Sequence, residues 1–87
     1  MKTNELKKLI IAETKNLLGC LSGEQLFYIN NCLNILKKER TTSTIHHMAH
    51  HLVCYVSNKI KPDYRSYEDI RYFLIEMENI IEEYENN

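Results

Sequence analysis

The sequence predicts an all-α protein folded as an antiparallel, up-down-up-down four-helix bundle, and three observations carry that prediction. Four segments place apolar residues at i, i+3, i+4 and i+7, the spacing of one helix face. Helix-boundary residues separate these segments: Gly19 and Ser22, then a Thr/Ser tract at 41–44, then Pro62 and Ser66. Two glycines and one proline in 87 residues are too few for the turns of an all-β fold or for a glycine-rich phosphate loop.

The first helix is expected over about 3–18, where Leu6, Leu9, Ile10 and Leu17 form one stripe that Ile11 and Leu18 widen. Gly19 is its natural stop. Ser22-Gly23-Glu24-Gln25 has the form of a capping box and opens a second helix, about 23–40, built on Leu26, Ile29, Leu33 and Leu36. Lys37, Lys38 and Arg40 suit the negative end of that helix's macrodipole. Thr41, Thr42, Ser43 and Thr44 read as a turn with an N-cap.

The third helix, about 44–60, is the most strongly patterned, with Ile45, Met48, Ala49, Leu52, Val53, Val56 and Ile60 within roughly 140° of its circumference. Pro62 disfavours helical backbone in the residue before it, so this helix should end near Ile60 or Lys61. Ser66-Tyr67-Glu68-Asp69 resembles a second capping box. The fourth helix, about 67–84, follows on Ile70, Phe73, Leu74, Met77, Ile81 and Tyr84.

The 87 residues form one domain, and connections of about three to five residues make consecutive helices antiparallel. A monomer is expected ahead of the rival arrangement, two helical hairpins completed by dimerisation. The longest apolar run, Leu9-Ile10-Ile11-Ala12, is far short of the roughly 20 residues that cross a bilayer. Without a leader-like start, a cytoplasmic protein that does not insert into the membrane is expected.

With 11 basic and 12 acidic side chains the formal charge is −1, which gives no general attraction to polyanions; no nucleic-acid partner is expected. Residues 1–40 carry +3 and residues 41–87 carry −4. The acidic fourth helix, with Glu76, Glu78, Glu82, Glu83 and Glu85, is open to two readings, a surface for a cationic partner or a solvated face. Cys20, Cys32 and Cys54 show no C-x-x-C spacing and are read as reduced, mostly packed thiols.

His46-His47-Met48-Ala49-His50-His51 stands out on the third helix, on the side opposite the apolar stripe, with Cys54 among the imidazoles. Pairs at i, i+4 can reach one metal ion, and His47, His51 and Cys54 are the candidate ligands for zinc or nickel. No H-E-x-x-H glutamate accompanies them, and no cofactor is expected. The same histidines also admit pH sensing or a plain polar face. Cys54 and His50 could approximate a nucleophile and base, but no orienting third group or oxyanion hole is evident, so no enzyme is expected.

Five of the six tyrosines, at 55, 64, 67, 72 and 84, lie in the second half, and tyrosine is a favoured contact residue. Ser43-Thr44-Ile45, Met48, Leu52, Tyr55 and Asn58-Lys59-Ile60, followed by a capped helix with Asp69-Ile70 and Leu74-Ile75, resemble the pediocin-like (class IIa) bacteriocin immunity proteins over most of the chain. The resemblance implies a small antiparallel four-helix bundle without catalytic residues. It also implies protection of a producing cell from its own pore-forming peptide, at the inner face of the membrane, through the bacteriocin-bound mannose phosphotransferase permease. The C-terminal half would select the bacteriocin resisted. Tyr55, Asn58, Lys59, Tyr64, Arg65, Tyr67, Tyr72 and Glu76 are the candidate partner-binding residues on that reading. A small helical regulator or inhibitor, phage- or plasmid-borne, or a helical dimer acting in transcription, is the alternative.

Overall fold

Residues 2–86 are described in a computed structural model, and they form four α-helices and no strand: α1 (Thr3–Lys15), α2 (Gly23–Lys38), α3 (Thr42–Lys59) and α4 (Tyr67–Glu85). The all-α four-helix bundle expected from the sequence is the fold observed. α1 packs between α2 and α4, α3 packs between the same two helices, and α1 also meets α3 across the middle. Contacts between opposite ends set the directions. Lys7, near the start of α1, reaches the end of α2; Gln25, near the start of α2, reaches the end of α3; His46, near the start of α3, reaches Glu85 at the end of α4.

The core is what the stripes supply. Leu6, Ile10, Leu17, Ile29, Leu36, Ile45, Leu52, Val56, Phe73 and Met77 are all essentially inaccessible to solvent. Two positions in α1 differ from the expected stripe: Leu9 is 42% exposed, whereas Thr14 is fully buried. Thr14 fits there because its hydroxyl donates to the Ile10 carbonyl at 2.7 Å, which satisfies its polar atom inside the helix.

The helix ends depart from the expected caps for identifiable reasons. α1 stops at Lys15, short of residue 18, and the chain tightens into a 3₁₀ turn at Leu18–Cys20, with Cys20 N–H donating to the Leu17 carbonyl at 2.9 Å. The left-handed residue is Gly23, at φ 56° where α2 begins, and not Gly19. Neither Ser22 nor Ser66 caps its helix through its side chain. Gln25 instead donates from Nε2 to the Lys59 carbonyl at 3.2 Å, tying α2 to the end of α3.

α2 ends at Lys38, two residues early, where Lys7 Nζ donates to the carbonyls of Lys37 (2.7 Å) and Glu39 (2.8 Å). A cation borrowed from α1 thus satisfies the α2 C-terminus. Glu39 Oε1 accepts the backbone N–H groups of Arg40 and Thr41, and those bonds, Thr41's first, hold its carboxyl below the usual range. The Thr3 and Thr42 hydroxyls bond each other beside this turn, and α3 begins at Thr42, two residues earlier than expected.

Asp63 builds the α3–α4 connection. Its Oδ1 accepts from Arg65 N–H (2.9 Å), Ser66 N–H (2.9 Å) and the Ser66 hydroxyl (3.0 Å), while the Ser66 hydroxyl accepts from Asp63 N–H at 3.1 Å. The Ser66 N–H bond leads the effects that lower the Asp63 pKa from the ordinary aspartate value. A carboxyl with a depressed folded-state pKa stabilises the fold above the unfolded value of about 3.9 and loses that contribution as pH falls toward the folded value. Asp63→Ala is therefore expected to lower the melting temperature at pH 7, with the gap to the parent narrowing below about pH 4. A gap that stays constant into acid would separate the turn's stability from Asp63 ionisation.

Candidate functional site

The turn that Asp63 fixes presents two exposed aromatic side chains, Tyr64 and Tyr67. Pro62 and Tyr67 flank two neighbouring open depressions. One, of about 470 Å³, is lined further by Ile70, Arg71, Leu74, Ile75 and Glu78. The other takes in Asp63, Tyr64, Arg65 and Glu68. Tyr64 is 99% exposed, Tyr67 50% and Ile75 46%, so aromatic and branched apolar surface stands in water here rather than in the core.

Charges of both signs meet at this corner. All four cations of the second half, Lys59, Lys61, Arg65 and Arg71, lie at this corner, interleaved with Asp63, Glu68 and Asp69, and Glu78 also lines its groove, whereas Glu76, Glu82, Glu83 and Glu85 are the other acids along α4. Tyrosine beside arginine at an exposed apolar groove is the composition that concentrates binding energy in protein interfaces.

The eight residues proposed from the sequence do not form one surface. Tyr64, Arg65 and Tyr67 come together at the corner, with Asn58 and Lys59 exposed on the last turn of α3. Tyr55 faces α2, where its ring stacks on Tyr28 with centroids 4.1 Å apart and planes 19° from parallel. Glu76 is half-buried on the α1 side. There burial first, and the Glu76 charge second, push the Glu13 carboxyl up, and Glu13 Oε2 is buried without a hydrogen-bond partner. Tyr72, 57% exposed, sits one turn before Glu76 on that side. Sequence reasoning did not select Pro62, Arg71, Leu74 or Ile75, which line the groove. Ile75 carried a legible signal, an apolar residue off the α4 stripe.

The histidines and Cys54 are placed differently from one another. His47, His51 and Cys54 do not converge: the Tyr28 hydroxyl bonds His51 Nε2 on the α2 side, and Cys54 is exposed. Among the described residues, the donors that do converge are His46, His50 and Glu85, within 4.8 Å of one another. The histidines are split between two sides of α3 because His46 and His50 border the apolar stripe on its α4 edge, while His51 turns to α2. The expectation of mostly packed thiols holds for Cys32 alone. Burial raises the Cys32 thiol pKa; at Cys20 burial, followed by the bond from its thiol to Asp69 Oδ2 at 3.3 Å, does the same.

No described helix is long and apolar enough to cross a membrane. No protein-family model, curated protein or solved structure matches this chain.

Proposed function

We propose that this bundle is an immunity protein that binds a receptor-bound pore-forming bacteriocin from the cytoplasmic side, with the α3–α4 corner as its contact surface. The observation that carries the reading is the exposed Tyr64–Tyr67–Ile75 surface, placed with Arg65 and Arg71 around the Pro62 groove. A protein whose work is recognition leaves such groups in solvent, where they add area with few rotors to freeze. The four-helix fold and the Ser43-Thr44-Ile45 to Leu74-Ile75 pattern support the immunity class, and the corner falls in the half that class uses for selection. The bundle has no chemistry to perform in this role. It blocks a pore by occupying the complex that forms it.

A sensitive Gram-positive strain expressing the chain is expected to survive some members of a class IIa bacteriocin panel that kill the empty-vector control. Exchanging residues 61–87 with those of another immunity protein is expected to change which members are resisted. Full sensitivity, with the folded protein verified in the cells, would overturn the immunity reading and leave a regulator that binds a different protein through the same corner.

A further inference from the structure

We infer that His46, His50 and Glu85 form a binding site for one divalent ion of the zinc class at the end of the α3–α4 groove. His46 and His50 are one turn apart on α3, and the antiparallel packing brings the last turn of α4 alongside them. Both imidazoles aim Nε2 at the same carboxylate oxygen, Glu85 Oε1, at 3.2 Å from His46 and 3.4 Å from His50. Zinc bonds of about 2.0–2.1 Å at tetrahedral angles separate neighbouring donors by about 3.3–3.4 Å. Each nitrogen-to-oxygen spacing is thus already that of a zinc coordination edge, and all three donors lie within 4.8 Å of one another.

The ligands are also held. The His46 side chain is only 20% exposed; its ring lies against Tyr84, with centroids 4.6 Å apart, and meets the His50 ring edge-on at 4.6 Å. A ring fixed on two sides loses little freedom on binding a metal. Two imidazoles and one carboxylate suit zinc, copper or nickel, whereas calcium and magnesium take oxygen donors. Glu82 lines the same groove as His50 and Glu85 and, with water, is a source of a fourth donor. Three protein ligands with an open fourth position describe an exchangeable surface site. Occupancy would clamp the start of α3 to the end of α4 and stabilise the bundle by mass action.

Calorimetric titration of the purified chain with zinc chloride in a non-chelating buffer is expected to give one equivalent of bound ion and a raised melting temperature. His50→Ala and Glu85→Gln are each expected to weaken binding by at least the roughly tenfold that losing even an outer-shell partner costs. Both side chains are half-exposed, so the variants should fold, and circular dichroism verifies that they do. His47→Ala and Cys54→Ser are expected to bind as the parent does. Cobalt substitution adds a readout independent of affinity, visible bands of tetrahedral intensity that vanish in Glu85→Gln. Absence of binding by the parent, binding that survives His50→Ala and Glu85→Gln, or loss of binding in Cys54→Ser would each overturn the site.

Discussion

Phe73→Ala is expected to destabilise the protein by about 3–5 kcal/mol, the usual cost of emptying a buried phenylalanine site. Phe73 is 1% exposed and sits in the core with Leu6, Ile10, Leu52 and Met77. A chain of 87 residues has a total stability on the order of 4–13 kcal/mol, so this one cavity would consume much of it. Urea unfolding followed by circular dichroism at 222 nm, a wavelength chosen for helix content, gives the comparison. Tyr72→Ala, one residue away and 57% exposed, should stay within about 0.5 kcal/mol of the parent. Equal effects from the two substitutions would contradict the burial pattern of α4.

The fold was legible because all four helices repeat the same kind of stripe and none can bury its stripe alone. α3 shows this best: of the seven residues expected in its core face, Ile45, Ala49, Leu52, Val56 and Ile60 are buried, and Met48 and Val53 pack partly buried against them. Where the reading failed, it failed at stripe edges. In α1 the buried sector is shifted toward Thr14 and away from Leu9, a shift hidden by a hydroxyl that counts as polar until its bond to the Ile10 carbonyl is seen. In α4, Ile80 is buried beside the expected Met77 and Ile81, so the covered sector is wider than the stripe. Cap chemistry was less legible than position. Gln25 and Lys7 satisfy the ends of helices other than their own, and no local motif encodes a bond between residues 30 or more positions apart.

The same limit explains the histidines. Projection onto one helix places four imidazoles on the polar side, and only the neighbours decide which pair meets a carboxylate. Glu85 was visible in the sequence as one acid of several on α4. Its role beside His46 and His50 depends on antiparallel pairing of α3 with α4 and on their register, which a one-turn slip of about 5.4 Å would destroy. The corner was half legible for a related reason. Tyr64, Arg65 and Tyr67 are contiguous and were selected together, whereas Pro62, Arg71, Leu74 and Ile75 join them only because the Asp63 turn folds the chain back onto α4.

The double substitution Tyr64→Ala, Tyr67→Ala is expected to abolish protection while leaving the fold intact. The two rings are 99% and 50% exposed, so removing them opens no cavity, and the unfolding midpoint should stay near the parent's. If each ring is a contact worth about 2 kcal/mol, losing both weakens the partner complex on the order of several hundredfold. Tyr55→Ala is the informative contrast, because that ring stacks on Tyr28 between α2 and α3. Its loss should appear mainly as stability, with about 0.5–1.5 kcal/mol for the ring pair beyond the area buried, and less as lost protection. Survival assays and urea unfolding on the same three proteins separate these outcomes. Parent-like protection by the double variant, with loss of protection in Tyr72→Ala, would move the contact surface from the Pro62 corner to the α1 side of α4.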